Sequence, residues 1–395
     1  MKGGGIRVLL VGPTSPPYSG IEAATESLLA GLARTPGVVW RHVNTRKPVP
    51  NARRGRLSLT NLVWAFRHIA KMMWECLSFR PDIVHLPIAH NRLGFIRDAC
   101  LILCGRLSGA RLLLQAHNDS YDKFVLSQPR LIRGVIVRAY GQARAIAVQG
   151  ASLRKQFERL GLGPRLVKLT NHLSVADFRS ARVHRKGHLP LRVLLLGRVS
   201  IAKGAWDLAR AAVEAARRHQ TPIQLVFSGE VVTNDASVAH LADRSMNVPM
   251  LVERLLREAT TTAVQISYVG VLDQEAKMRE LGEADVLALP SHSEALPYAV
   301  LEGAAAALPI LATEVGMIPE LQAKGLRGEF VQPGDVKGLA AALAALADPV
   351  RRSADGLSNL ALAEREFDVA LLPRRLSVLY HDIADRPVGI PVAAE

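Results

Sequence analysis

An alternation that starts twice constrains the fold of this chain more than any other feature. "IRVLLVG" at 6–12 is followed by helical sequence from about Ile21 to Ala33. Next come "VVWRHVN", the amphipathic stretch "LTNLVWAFRHIAKMMWECLSF", "DIVHL", helical sequence near Phe95–Leu107, "RLLLQAH", helical sequence over Arg130–Arg144, and "AIAVQ". Short, continuous apolar runs of this kind are how buried parallel strands read, and strands separated by helices predict a doubly wound α/β sheet. The pattern then restarts with "LRVLLLGRV" at 191–199, followed by "PIQLVFSG", "AVQISYVG", "ADVLALP" and "PILAT".

Two similar α/β domains are therefore expected, consistent with 395 residues being too long for one ordinary core. We divide the chain into an acceptor-side domain over 1–178, a donor domain over 179–370, and a C-terminal helix within 371–395 that crosses back to the first domain. "SARVHRKGHLP" reads as the linker, and the stretch 233–262 as an insertion. Sheets that face a common cleft with their carboxyl edges are expected to place a ligand there.

Composition narrows the class. Hydrophobic residues make up 49% and charged residues 22%, which is globular rather than disordered. No apolar run reaches the roughly 18 residues needed to span a bilayer, and the N-terminal apolar run reads as a first strand rather than a signal peptide. Three cysteines, Cys76, Cys100 and Cys104, form no disulfide framework and suggest a reducing cytoplasm. The last two read as helical thiols. Net charge is +15 and uneven: residues 1–180 hold 27 Lys and Arg against 9 Asp and Glu. A basic first half is expected to face something anionic.

The chemistry is carried by "LALPSHSEALPYAVLEGAAAALPILAT" at 287–313, which sets Glu294 and Glu302 eight positions apart in apolar surroundings. After the strand "DVLALP", Glu294 falls in the loop and Glu302 in the first turns of a helix predicted over Tyr298–Ala307. A helix N-terminus attracts phosphate, and an acid beside it can accept hydrogen bonds from sugar hydroxyls. Taken alone, the spacing also fits a capping Glu and a solvent-facing Glu. The second domain's first strand ends in "GRVSIAKG", whose Arg198 and Lys203 suit a diphosphate as fork and point charge.

These stretches, with "EVGMIPELQAKGLRGEFVQPGD", resemble the retaining nucleotide-sugar glycosyltransferases of the GT-B fold, family 4, over most of residues 190–345. "GPTSPPYSGIEAATESLLAGLA", "PDIVHL" and "LLLQAHNDS" resemble that family more loosely. The resemblance implies two Rossmann-like doubly wound domains facing a central cleft. It also implies that Arg198 and Lys203 hold the donor diphosphate and stabilise it as the leaving group. Glu302 would bind the ribose, and Glu294 would contact the donor sugar near the amides of Ala295 and Leu296. Gly20 would admit the phosphate to the first-domain backbone, His117 would lie near the reacting carbon, and Val271 and Leu272 would flank the base. The family pattern is broken at Pro297, which has no N–H, at Ala307 and Met317 where glycine is common, and at Ser19 in place of the first loop glycine.

No metal or cofactor is expected. His85, His90 and His117 lack metal-ligand spacing, no pair of acids stands where a divalent ion would be held, and Asp235 falls in the insertion. Phosphate-loop, complete dinucleotide and nucleophile-elbow motifs are absent from the sequence. Arg46, Lys47, Arg53, Arg54, Arg56, Arg67 and Lys71 stand beside Trp64, Phe66, Met72, Met73 and Trp74, a composition that suits a membrane interface and equally a core helix with a solvated loop. Nucleic acid is not expected, for want of a docking element.

The reading that results is a metal-independent transferase that moves a sugar from a nucleotide diphosphate to an acceptor hydroxyl. The acceptor is expected to be lipid-linked, in polysaccharide or glycolipid assembly at the cytoplasmic face of a membrane. The alternatives are an epimerase or hydrolase of the same fold and a non-catalytic, basic membrane-binding protein.

Overall fold

The computed structural model describes residues 5–16, 19–46, 59–182, 190–232 and 263–385. The expected insertion at 233–262, most of the expected linker, and Lys47, Arg53, Arg54 and Arg56 lie outside the described residues.

Two compact units result, one formed by residues 1–172 with 369–395 and the other by 173–368. In the first unit, β1 (Ile6–Gly12), β2 (Val38–Asn44), β3 (Ile83–Ile88), β4 (Arg111–Ala116), β5 (Ala145–Val148) and β6 (Leu166–Lys168) form a parallel sheet in the order β2-β1-β3-β4-β5-β6. Strand β1 is an apolar run buried along nearly its whole length, as a central strand covered on both faces requires. The helices between the strands are α1 (Gly20–Leu32), α2 (Leu59–Phe79), α3 (Arg92–Leu107), α4 (Tyr121–Leu126), α5 (Arg130–Tyr140) and α6 (Ala151–Arg159). Helix α3 starts where Asn91 caps the Gly94 amide at 2.8 Å. The sequence reading missed α4, α6 and β6, which are too short to show a periodicity.

The second unit repeats the plan. Strands β7 (Leu191–Leu196), β8 (Ile223–Ser228), β9 (Val264–Gly270), β10 (Val286–Leu289), β11 (Ile310–Thr313) and β12 (Gly328–Val331) run parallel in the order β12-β11-β10-β7-β8-β9. Strand β7 is followed by α7 (Ala205–His219), and a helix at Tyr298–Ala305 follows β10. Each sheet has a switch point where the strand order reverses, between β1 and β3 in the first and between β7 and β10 in the second. Crevices at the carboxyl ends of such strands bind ligands in doubly wound folds.

The chain passes between units before the expected linker. Leu173, Val175, Phe178 and Ala181 are buried in the core of the second unit, so that unit begins ahead of most of the polar stretch. The last helix, Leu372–Ile383, returns to the first unit, where Leu372, Leu376, Tyr380 and Ile383 pack with Leu28 and Leu32 of α1 and with the sheet.

The Tyr298–Ala305 helix stops two residues short of the predicted end. Ala307 takes φ 55°, its amide donates to Ala304 and the Leu308 amide donates to Gly303, both at 2.9 Å. This pairing closes a helix in a Schellman turn, whose left-handed position favours glycine. Replacing Ala307 with glycine relieves roughly 1–2 kcal/mol of left-handed strain but loses a buried methyl worth about 0.8 kcal/mol. Ala307→Gly is therefore expected to stabilise by less than about 1 kcal/mol in urea denaturation.

Three histidines of the first unit are neutral, His85 and His172 buried and His117 partly covered. Burial lowers His85 to about 3, with Tyr380 Oη 2.9 Å from Nδ1 and Gln115 Oε1 3.0 Å from Nε2. Burial likewise lowers His117 to about 4, and burial with the Arg375 charge lowers His172 to about 4. In the unfolded chain each would protonate near 6.5. Between these values only the unfolded state takes up the protons, so stability is full above about pH 6.5 and declines toward pH 4. A melting temperature that falls steadily from pH 7 to pH 4.5 is expected, and a flat profile would contradict the burial of these rings.

Candidate functional site

The loops after β7 and β10 meet at the switch point of the second sheet. After β7 the chain passes through Gly197 to Arg198, and Ser200 Oγ accepts from the Lys203 amide at 3.2 Å. This turn carries the Lys203 ammonium onto the Glu294 carboxylate, where it donates a hydrogen bond. Ser291 Oγ donates to the same carboxylate oxygen at 2.7 Å. The lysine side chain is 19% exposed and the glutamate side chain 9%, so the pair is largely withdrawn from water but open on one side.

Two glycines make this approach possible. Gly204 has φ 69°, and a Cβ there would lie 2.0 Å from the Pro290 carbonyl at the end of β10. Gly316 has φ 58°, and its Cβ would lie 2.2 Å from the Glu294 carbonyl and 2.5 Å from that of Ala295. The loop after β11 thus lies directly on the Glu294 backbone, and the Met317 amide donates to Ala295 at 2.9 Å. The His292 amide donates to Ala202 at 2.9 Å, and its ring Nε2 lies 2.9 Å from Asp207 of α7. Three loops are laced together by backbone contact, so the position of Glu294 is set by the sheet edge rather than by side-chain choice.

The other expected residues of this unit take varied places. Arg198 is exposed on the Lys203 loop and has no ion pair among the described residues. Glu302 accepts from Lys277 Nζ at 2.6 Å, with both side chains mostly covered. Lys277 was not picked out from the sequence, where "DQEAKMRE" looks like any solvated helix. Ala295 and Leu296 are buried, at 7% and 4% exposure. Val271 is exposed just past β9, while Leu272 packs against the core. Pro297 occupies the N-cap of the Tyr298–Ala305 helix, where a missing N–H leaves no hydrogen bond unmade.

In the first unit, Gly20 is the first residue of α1, and the Ser19 hydroxyl at its N-cap donates to the fully buried Glu22 carboxylate. His117 follows β4 at the carboxyl edge of the sheet. Its Nδ1 lies 3.5 Å from Gln149 Nε2, which itself donates to Asn171 at 2.8 Å. With Gln149 donating to Nδ1, the neutral ring carries its proton on Nε2. His117 can therefore offer a neutral N–H to a ligand, and it is uncharged above about pH 4. His85 does not line a site: it is fully buried between Tyr380 and Gln115. Among the described residues there is no group of three His, Cys, Asp or Glu arranged to hold a metal ion.

These two doubly wound units, with polar loops at the carboxyl edge of each sheet, are the GT-B fold of glycosyltransferases. The structure of Anabaena HepE in complex with UDP superposes with a TM-score of 0.66 at 14% identity, covering 95% of this chain and all of that one. Residues 179–352, which include Arg198, Lys203, Glu294 and Glu302, match the family described as glycosyl transferases group 1. Glycogen synthase of Mycobacterium tuberculosis is 28% identical over 278 residues, 69% of this chain. The GDP-mannose-dependent monoacylated alpha-(1-6)-phosphatidylinositol monomannoside mannosyltransferase of Corynebacterium glutamicum is 30% identical over 131 residues, 31% of this chain. The chain spans 61% of the length of the first relative and 34% of the second.

Adding one methyl at Gly316 tests the loop packing. Gly316→Ala combines left-handed strain with a backbone clash, so a loss of about 2 kcal/mol or more is expected in denaturant titration, against little change for Lys337→Ala on the surface.

Proposed function

We propose that the protein is a retaining glycosyltransferase that moves a sugar from a nucleotide diphosphate to an acceptor hydroxyl. The observation that carries this reading is the Lys203–Glu294 pair at the β7/β10 switch point, inside the segment that matches the family. A cation fixed at the carboxyl edge of a central strand suits a diphosphate, and the partner carboxylate suits the hydroxyls of the sugar attached to it. The UDP complex of the Anabaena neighbour supports a nucleoside diphosphate as the donor's leaving half. The phosphatidylinositol mannoside named for the Corynebacterium relative supports a lipid-linked acceptor, reached at the cytoplasmic face of a membrane. No described helix is long and apolar enough to cross a bilayer, so this contact would be peripheral.

In this mechanism the bond between the sugar's anomeric carbon and the phosphate oxygen breaks, with its electron pair leaving on the diphosphate. Lys203 and Arg198 stabilise that charge as it develops. The acceptor oxygen bonds to the anomeric carbon from the same side, and its proton passes to the departing phosphate oxygen. Glu294 orients the sugar, and His117, being neutral, is assigned a hydrogen-bonding role rather than proton transfer. Glu302, with its charge balanced by Lys277, accepts hydrogen bonds from the ribose. The two cations supply the positive charge, so we assign no divalent ion to the step.

Lys203→Ala and Glu294→Gln are each expected to lower turnover at least a hundredfold, the size of effect seen when a transition-state charge partner is removed. Circular dichroism would check that both variants stay folded, and activity should survive EDTA. Donor consumption without acceptor would point instead to hydrolysis or epimerisation. The absence of any melting shift with UDP, GDP or ADP would overturn the nucleotide site.

A further inference from the structure

Helix α2 is apolar on two faces. His68, Met72, Cys76 and Phe79 point into the first unit. On another side Leu59, Leu62, Phe66, Met73, Trp74 and Leu77 are exposed, Phe66 at 71%, Trp74 at 68% and Leu77 at 70%. At 100° per residue these six fall within about 120° of arc and run roughly 27 Å along the axis. Single exposed apolar residues are ordinary, but a continuous stripe of large ones marks a contact surface. Arg67 and Lys71 stand along one edge of the stripe, Arg67 with its guanidinium 5.0 Å above the Trp64 ring. Helix α3 packs beside α2 and exposes Ile96, Leu103 and Leu107.

The C-terminal ends of the two helices share a cavity of about 520 Å³, lined by Leu77 and Leu107 together with Arg7, Arg80 and Arg111. Two of its guanidinium groups are fixed. Arg7 donates to the Phe79 carbonyl at 3.2 Å and lies 3.7 Å from Asp82. Arg111 donates to the Ile383 carbonyl at 2.6 Å and pairs with Asp385 at 2.8 Å. Arg80, held at φ 49°, has no ion pair among the described residues. Asp82 is the one acid lining a cavity that holds three arginines. The guanidinium fork is matched to phosphate oxygens.

We propose that the α2–α3 face and this cavity form one docking surface for a bilayer leaflet that carries anionic phospholipid. The apolar stripe enters the boundary of the acyl chains, and the cavity takes a phosphate headgroup. An amphipathic helix with aromatic and aliphatic residues on one side and cations at its edge lies in the membrane interface in this way. The charge of the first half, 27 basic against 9 acidic residues over 1–180, matches an anionic leaflet. The same charge opposes a second copy of this chain as the occupant, because two equally basic faces repel. The surface belongs to the first unit and the donor loops to the second, and its binding needs no sugar chemistry.

The experiment is co-sedimentation of the full chain with vesicles of phosphatidylcholine alone and of phosphatidylcholine with an equal amount of phosphatidylglycerol. Binding at least tenfold tighter to the mixed vesicles is expected. It should be lost in the double variant Phe66→Ser with Trp74→Ser and weakened severalfold by Arg80→Glu, with far-ultraviolet circular dichroism unchanged. Should the double variant fail to fold, Arg80→Glu and a salt titration still decide, since added salt must weaken the preference for the anionic vesicles. Wild-type protein left in the supernatant with both vesicle types overturns the proposal. So does a melting shift with glycerol phosphate in the absence of vesicle binding, which marks a soluble-anion site. A wild-type dimer that the double variant dissociates, again without vesicle binding, makes the face a self-association surface and overturns it equally.

Discussion

One contact organises the second unit: the Lys203 ammonium on the Glu294 carboxylate at the edge of the sheet. A mostly buried charge is tolerable only when it is paired and hydrogen-bonded, and here each charge is what keeps the other in place. Ser291 takes a further lone pair of the carboxylate, Ser200 holds the backbone of the lysine turn, and the Gly316 loop closes over the glutamate main chain. The loops after β7, β10 and β11 pack around those two groups. The pair also leaves an amine and a carboxylate, already mostly desolvated and fixed, at the switch point. Such preorganised groups act more strongly on an incoming ligand than mobile surface charges do, because little reorganisation is left to occur.

The two units reach this geometry by the same route but use it differently. In the second unit the carboxyl edge carries ionic groups. In the first, beside the Glu22 carboxylate, that edge carries the uncharged ring of His117, whose hydrogen bond from Gln149 fixes the tautomer. His85 shows why position after a strand does not by itself make a histidine functional. It sits one strand away with a similar depressed basicity, but its ring is consumed by Tyr380 and Gln115 inside the core.

Much of the architecture was legible in the chain because buried parallel strands leave continuous apolar runs, and these recur with helices between them in both halves. The polar partners were not legible. Lys277 reaches Glu302 from a helix 25 positions earlier, and nothing in "DQEAKMRE" distinguishes it from a solvated lysine. Gln149 meets His117, and Asn171 meets Gln149, because β4, β5 and β6 are successive neighbours in the sheet. The end of the Tyr298–Ala305 helix was misplaced because an alanine, not a glycine, holds the left-handed closing position. The junction between units was misplaced because composition marks polar stretches, whereas the units divide where apolar side chains change cores, at Leu173.

That division has a consequence for how the chain comes into being. The second unit is inserted into the first: Leu173 and Asp368 form a bridge where the chain enters and leaves it, and only then does the Leu372–Ile383 helix follow. A ribosome therefore finishes the entire second unit before it supplies Leu372, Leu376 and Tyr380 to the first. Until then the nascent first half has a gap along α1 and its sheet, whereas the inserted half already holds all its own strands. The order of completion thus runs opposite to chain order, with the later-encoded unit able to mature first.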